Sequence, residues 1–296
     1  MTGPTANPAN AGIPAHRTAD AQNETPGQAG RTSTTSSRLR TSAGARLHYR
    51  DVGEGPVVLA LHGAYSTHEE IRGFLDPVLP RHRRIYPDLP GMGDSTADGI
   101  HGSAGAVTAL AELVDHEVGD APFVVVAHSF GAHLARGLAA RRPHQVRGLA
   151  LICPQVMDDL HPEQHIVLSH DGAADGLSPE LAAEFTGYFV VHTTETVDRF
   201  REAVVPALGR YDAAAVERVM TSWRHDPDPA GVPYDEPVLV LTGRHDSVVG
   251  YRQHQGLLEA YPRATSLVLA GAGHALPHEH PAVLGDALRH WLERVR

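Results

Sequence analysis

With 296 residues, 42% of them hydrophobic and 20% charged, the chain is long enough for one large globular α/β domain or two small ones. The formal net charge is −10 and all 25 basic residues are arginines, so no basic face for nucleic acid is predicted. The single cysteine, Cys153, excludes an internal disulfide framework and fits a reducing, cytoplasmic compartment. No apolar stretch of the sequence is long enough to span a membrane.

The first 35 residues differ in composition from the rest of the chain. They are mostly Pro, Ala, Gly, Thr, Asn and Ser, with almost no large apolar side chain, and they lack the apolar core of a secretory signal. Such a segment cannot bury enough apolar surface to offset the entropy that ordering costs. We therefore predict that residues 1–35 form a disordered tail.

The next hundred residues predict a sheet and its first helices. Residues 37–41 and 46–51 have the pattern of a hairpin, because small turn residues join them. Residues 57–61 are continuously apolar, as is typical of a strand buried on both faces. The other elements predicted here are a helix from about residue 68, a strand over 84–86 and a helix over 103–118.

A sharp strand-to-helix turn is predicted around Ser129. Residues 123–126 are apolar and mostly β-branched, which favours a buried strand, and the Ala- and Leu-rich run from residue 132 favours a helix. Small residues, Ala127 and Gly131, flank the apex at two positions on either side, so the strand and the helix can approach closely. Ser129 would then stand above the sheet at a helix N-terminus, in the manner of a Gly-x-Ser-x-Gly nucleophile elbow.

Alternation of strands and helices is interrupted once and then resumes. Residues 146–152 are predicted as another buried strand, and residues 154–232 then carry mainly helical patterns. Strand–helix alternation over most of the chain predicts a parallel sheet covered by helices on both faces. The helices predicted inside the insertion are 179–191, 196–208 and 213–223; after it come strands 237–242 and 266–269 and helices 251–261 and 281–295.

Three residues at predicted strand ends have the chemistry of a catalytic triad. A serine hydroxyl needs a base, and the base needs a carboxylate to orient it. Asp246 and His274 each follow a predicted strand, so the chain order is Ser129, Asp246, His274, and parallel strands would bring the three together. Taken singly, Ser129 could cap a helix, Asp246 could serve a turn and His274 could lie in a surface loop. We expect Asp246, rather than Asp158 or Asp159 in the insertion, to be the acid.

An oxyanion hole needs two backbone N–H groups that converge on one oxygen. Phe130, which follows the serine, would supply one of them. The loop after residues 57–61 would supply the other, from Ala64 or Tyr65, because Gly63 lets that loop approach without a side chain in between.

These motifs together resemble the α/β-hydrolase superfamily, in its capped, esterase- and lactonase-like branch. The resemblance implies an eight-stranded, mostly parallel sheet with helices on both faces, built from residues 36–153 and 233–296, and a helical cap over 154–232. In this family the residue after His-Gly, here Ala64, commonly lends the oxyanion N–H. The matching stretches are Leu61-His62-Gly63, Pro87-Asp88-Leu89-Pro90-Gly91-Met92-Gly93-Asp94-Ser95, Ala127-His128-Ser129-Phe130-Gly131, Gly243-Arg244-His245-Asp246 and Gly273-His274.

The function expected from this resemblance is hydrolysis of an ester, lactone or related small acyl compound through an acyl-enzyme, as in carboxylesterases, with no cofactor and no metal. Ser129 argues against dehalogenases and epoxide hydrolases of the fold, which carry Asp at the nucleophile. Two alternatives stay open: a lyase or cofactor-free oxygenase that uses the His–Asp pair as a base, and a ligand receptor with slow turnover.

Candidates for contact with substrate or metal lie outside the triad. The densest apolar cluster of the insertion contains Phe185, Tyr188 and Phe189, which we predict to line the acyl pocket together with Tyr65 of the oxyanion loop. His161 and His165 have helical spacing for a shared metal, but no third ligand is evident, so no metal site is predicted.

Overall fold

The computed structural model describes residues 34–156, 160–252 and 254–295. Its strands are β1 (Thr34–Arg40), β2 (Arg46–Val52), β3 (Val57–Leu61), β4 (Arg83–Pro87), β5 (Phe123–His128), β6 (Val146–Ile152), β7 (Ser169–His170), β8 (Val191–His192), β9 (Val238–Gly243) and β10 (Ala264–Leu269). Its helices are α1 (His68–Val78), α2 (Gly102–Glu117), α3 (Phe130–Arg141), α4 (Pro179–Tyr188), α5 (Thr194–Arg199), α6 (Ala213–Met220), α7 (His254–Ala260), α8 (Leu276–Glu279) and α9 (Pro281–Leu292).

In the described part of the chain, eight strands form one sheet in the order β1-β2-β4-β3-β5-β6-β9-β10. β1 and β2 pair antiparallel with each other, and β2 pairs antiparallel with β4. From β4 to β10 every neighbouring pair is parallel, so the carboxyl ends of these strands meet at one edge. The predicted fold class, a mostly parallel eight-stranded sheet, is confirmed.

Helices cover both faces of the sheet, which explains why its central strands are apolar throughout. Along β5, Val125 and Ala127 face one buried layer, whereas Val124 and Val126 face the other. The first layer includes residues from α2 and α3, and the second includes residues from α1 and α9. The sheet therefore holds the elbow between β5 and α3 in a rigid frame.

β1 begins earlier than the sequence predicted. Thr34 pairs with Val52 and Thr35 with Asp51, so two residues assigned to the predicted tail belong to an edge strand. The ladder with β2 supplies their backbone hydrogen bonds, and such an edge position does not require apolar side chains. Residues 1–33, which make up the rest of the predicted tail, lie outside the described residues.

The inserted segment, residues 154–232, contains α4 to α6 and its own small core. Phe185, Phe189 and Phe200 are among the buried residues of that core. The single helix predicted over 196–208 is wrong in its continuity: α5 ends at Arg199, a π-turn covers Phe200–Val204 and a 3-10 turn covers Val205–Ala207. Pro206 lacks an N–H and so cannot donate a helical hydrogen bond, which prevents a regular α-helix from running unbroken to residue 208.

Candidate active site

Ser129 occupies a strained backbone conformation between β5 and α3. Its φ is 52° and its ψ is −117°, which non-glycine residues rarely adopt and which costs on the order of 1–3 kcal/mol. The Ser129 N–H donates to the Ile152 carbonyl at 2.9 Å, which ties the turn to β6. Gly131 is required because a Cβ there would lie 2.4 Å from the His62 carbonyl oxygen. The turn therefore has the geometry of a nucleophile elbow.

The structure brings Ser129, His274 and Asp246 together. The distance from Ser129 Oγ to His274 Nε2 is 3.0 Å, and the distance from His274 Nδ1 to Asp246 Oδ2 is 2.7 Å. The three residues are 6%, 5% and 0% exposed, respectively. One imidazole thus contacts a hydroxyl with one nitrogen and a buried carboxylate with the other, which is the geometry needed to move a proton away from the serine.

Asp246 is held by two further hydrogen bonds. Its Oδ1 accepts the N–H groups of Val248 and Val249, each at 2.9 Å. Burial alone would raise the pKa of Asp246, but His274 and these two N–H groups hold that pKa below its ordinary value. The carboxylate is therefore ionised and faces the imidazole in a fixed orientation. Asp158 and Asp159, the other acids considered, lie outside the described residues.

The loop after β3 runs beside Ser129. A Cβ on Gly63 would lie 3.3 Å from Ser129 Cβ, so the absence of a side chain allows this approach. His62 fixes the loop, since its Nδ1–H donates to the Gly63 carbonyl at 2.7 Å and its Nε2 accepts the Leu89 N–H at 2.9 Å. Burial lowers the pKa of His62, which favours the neutral ring that these two bonds require. Sequence analysis did not assign this role to His62.

The two residues predicted to donate to an oxyanion occupy suitable elements. Phe130 is the first residue of α3, and N–H groups of the first helical turn have no partner within the helix. Ala64 follows Gly63 in the loop beside Ser129 and packs against the core. The positive end of the α3 dipole therefore lies next to the serine.

The four residues predicted to line a substrate pocket fall into different environments. Tyr188 is half-buried, and its ring lies edge-on to that of His274 at 5.9 Å. Tyr65 is 41% exposed and contacts Tyr211 of the inserted segment, ring to ring, at 5.1 Å. Phe185 and Phe189 are both 0% exposed and stack on each other within the core of the inserted segment. Phe185 and Phe189 thus pack inside the insertion and Tyr188 faces the His274 ring, and the role of these residues in lining an acyl pocket stays a prediction.

Glu279 is a buried carboxylate to which sequence analysis assigned no role. Its Oε2 accepts the Gly273 N–H at 2.7 Å, and its Oε1 accepts the N–H groups of Val190 at 2.7 Å and Val191 at 3.3 Å. Burial raises the pKa of Glu279 although these N–H groups oppose that shift. One side chain thus ties the loop that carries His274 to the inserted segment.

His128 supports the same loop from the end of β5. Its Nε2–H donates to the His274 carbonyl oxygen at 3.1 Å. Burial, followed by the proximity of His274, lowers the pKa of His128 to about 4. The ring is therefore neutral at pH 7 and contributes no positive charge beside His274.

Metal-ligating side chains approach one another in two buried groups of the described residues: His128, Cys153 and His274 form one, and His48, His68 and Asp88 form the other. Hydrogen bonds within the protein engage both groups. In the second group, for example, Nδ1 of each histidine donates to the Asp88 carboxylate at 2.8 Å. His165, considered earlier as a ligand, contacts Ser247 Oγ at 3.2 Å instead.

Within residues 34–156, 160–252 and 254–295, the structure contains no helix with the length and apolar character needed to cross a membrane.

Known proteins are similar to this chain in sequence and in fold. Lipase LipV of Mycobacterium tuberculosis is 39% identical over 138 residues, which cover 46% of this chain and 52% of the lipase. A pimeloyl-[acyl-carrier protein] methyl ester esterase of Sodalis glossinidius is 27% identical over 266 residues, covering 82% of this chain and 96% of the esterase. The crystal structure of an alpha/beta superfamily hydrolase from Oenococcus oeni superposes with a TM-score of 0.79 at 23% identity, over 87% of this chain and 98% of that one.

A family model agrees with this likeness in fold. The model of the alpha/beta hydrolase fold matches residues 56–281, well over half of the chain, and this range includes the elbow, the loop after β3 and both strand ends that carry Asp246 and His274. The chain therefore belongs to the alpha/beta hydrolase fold family, as the resemblance in its motifs implied.

Proposed function

We propose that the chain is a serine hydrolase that cleaves an ester, lactone or related acyl compound. The observation that carries the proposal is the hydrogen-bonded series from Ser129 Oγ to His274 Nε2 (3.0 Å) and from His274 Nδ1 to Asp246 Oδ2 (2.7 Å). Its location at a strained strand-to-helix turn adds support, because the strain holds the hydroxyl above the sheet.

In the proposed mechanism, His274 Nε2 takes the proton of Ser129 as Oγ attacks the substrate carbonyl. The N–H groups of Phe130 and Ala64 stabilise the resulting oxyanion, and Asp246 stabilises the imidazolium. His274 then gives the proton to the leaving alcohol, which leaves an acyl group on Ser129. Water, activated by the same imidazole, releases the acid and restores the serine.

An ester substrate is favoured over the other reactions of the fold. A carboxylate nucleophile at the elbow would suit halide displacement or epoxide opening, whereas this chain has the hydroxyl of Ser129 there. Two relatives with a similar sequence are named as a lipase and a methyl ester esterase. Neither name fixes the acyl group or the alcohol of this chain's substrate.

We further propose that the inserted segment, residues 154–232, caps the site on a core of residues 36–153 and 233–296. The low exposure of Ser129 and His274 supports this, as does the edge-on contact of Tyr188 with the His274 ring. Exclusion of water by such a cap strengthens the electrostatic contacts made to the oxyanion.

The experiment is intact-mass analysis after treatment with a fluorophosphonate and with a panel of p-nitrophenyl esters and lactones. We expect one adduct per chain, located on Ser129 and absent from Ser129→Ala. The variant should also lose on the order of 10^4-fold or more in kcat. Ser222→Ala, which alters an exposed serine, serves as the control that keeps both labelling and turnover. An adduct that persists in Ser129→Ala would contradict the proposal.

A further inference from the structure

Glu70 is a buried carboxylate that the proposed mechanism does not use. It lies in the first turn of α1 and is 7% exposed. Its Oε2 accepts the hydroxyl of Ser66, and its Oε1 accepts the hydroxyl of Tyr188 at 2.9 Å. Nε2 of His278 lies 3.4 Å from the same Oε1. Three side chains therefore converge on one charged group.

The burial of Glu70 is unfavourable unless its partners are retained. Burial alone would raise the pKa of Glu70, but the contacts with His278 and Ser66 hold that pKa well below its ordinary value, so the group is ionised. An apolar residue of similar volume would fill the space without removing a charge from water. Packing alone therefore does not account for a glutamate at this position.

The three partners of Glu70 come from three separate parts of the candidate active site. Ser66 lies two residues after Ala64 in the loop beside Ser129. Tyr188 belongs to the inserted segment and faces the ring of His274. His278 lies in α8, four residues after His274. No other carboxylate of the described residues is hydrogen-bonded to all three of these parts; Glu279 joins only the last two.

We infer that Glu70 is a positioning residue for the hydrolytic reaction: its carboxylate fixes the oxyanion loop, the inserted segment and the His274 loop relative to one another. The inference rests on the proposed function. Glu70 touches neither Ser129 nor a reacting atom, so its effect reaches the reaction through Ser66, Tyr188 and His278.

The separate contacts predict separable kinetic effects. The bond to Ser66 holds the loop that supplies the Ala64 N–H, an interaction that strengthens only as the oxyanion forms, so its loss should lower kcat. The bond to Tyr188 holds a ring beside the space that the substrate enters, so its loss should mainly raise KM. A residue with a merely structural role would lower the fraction of active protein and leave the turnover of each active molecule unchanged.

The experiment measures kcat and KM for an activated ester in Glu70→Ala, Glu70→Gln, Ser66→Ala and Tyr188→Phe. Active sites are counted by fluorophosphonate labelling, so kcat refers to competent molecules only. Glu69→Gln is the matched control, because Glu69 is the adjacent carboxylate of α1 and pairs with Arg72 at 2.6 Å, away from Ser66 and Tyr188.

We expect Glu70→Ala to lose on the order of 10^2-fold in kcat per active site, as small misplacements of catalytic groups do. Glu70→Gln should recover most of that loss, because the amide oxygen can accept from Tyr188 and the amide N–H can donate to Ser66 Oγ. Ser66→Ala should lower kcat with little change in KM, and Tyr188→Phe should raise KM more than it lowers kcat.

Two results would overturn the inference. One is a Glu70→Ala protein whose kcat per labelled site lies within twofold of the wild type. The other is a change in kcat and KM that is the same in Ser66→Ala as in Tyr188→Phe. This comparison decides the matter even where Glu70→Ala does not fold, because each of these two variants removes only one hydroxyl. Failure of the proposed function itself would appear differently: Ser129→Ala would then keep the activity of the wild type.

Discussion

Replacing Asp246 by asparagine tests the role of its two oxygens separately. Oδ1 accepts the N–H groups of Val248 and Val249, and Oδ2 accepts from His274 Nδ1 at 2.7 Å. An asparagine amide has one oxygen, and the two backbone donors require it. The amide NH2 of Asp246→Asn must therefore face His274.

The consequence for the imidazole follows from that orientation. An N–H donor opposite Nδ1 forces Nδ1 to accept, so the ring proton of neutral His274 moves to Nε2. Nε2–H cannot take the proton of Ser129, and no carboxylate remains to stabilise an imidazolium. We expect a loss of about 10^4-fold in kcat. At about 1.4 kcal/mol per factor of ten, this corresponds to about 5.5 kcal/mol of transition-state stabilisation.

The assay is kcat for an activated ester at pH 7 to 8, with circular dichroism to verify the fold. The variant should fold, because the bonds to Val248 and Val249 are kept. Asp175→Asn, which changes an exposed carboxylate of the inserted segment, is the control and should turn over like the wild type. An Asp246→Asn protein within tenfold of wild-type kcat would refute the reasoning, because the wrong tautomer would then have no kinetic cost.

Three further predictions concern stability. In urea titrations, Gly131→Ala should lower the free energy of unfolding by about 3 kcal/mol, since its Cβ would overlap the His62 carbonyl. Gly187→Ala has open space around its Cβ and should raise the free energy of unfolding by about 0.5–1 kcal/mol. Deletion of residues 1–31 should leave kcat/KM unchanged and should change the free energy of unfolding by less than about 1 kcal/mol. In a domain of this size that corresponds to a Tm shift of less than roughly 2–4 °C. Folding lowers the pKa of His128 from 6.5 to about 4, so between these pH values the unfolded chain binds a proton at His128 that the folded protein does not. The free energy of unfolding should therefore decline as the pH falls from 6.5 to 4. His128→Asn should lessen that decline, and an equal decline in both proteins would contradict the assignment.

Much of the sheet could be predicted because its strands are buried on both faces. β3 and β6 begin and end where the sequence predicted, since β3 is an uninterrupted apolar run and β6 is apolar at all its positions except Arg147. The order Ser129, Asp246, His274 at strand ends could be predicted for the same reason, because parallel strands place their carboxyl ends at one edge. The two-residue pair β7 and β8 was missed, because so short a ladder has no hydrophobic period.

The roles of Glu70 and Glu279 could not be predicted from local sequence. Tyr188 is 118 positions from Glu70 along the chain, and His278 is 208 positions away. Both glutamates have neighbours in sequence that suggest an ordinary helix surface, whereas in the structure distant parts of the chain bury them. A charged side chain in a helix is usually solvated, so sequence alone favours the exposed interpretation.

These two carboxylates also determine how the inserted segment is attached to the core. Tyr188 is bound through its hydroxyl to Glu70, whereas Val190 and Val191 are bound through their backbone N–H groups to Glu279. The attachment near His274 therefore includes directional hydrogen bonds to two carboxylates, and the bond to ionised Glu70 is charge-assisted and roughly twice as strong as a neutral one. Apolar contacts tolerate sliding, but directional bonds of this kind do not. We therefore expect substitutions elsewhere in the inserted segment to leave the segment from Tyr188 to Val191 attached beside His274.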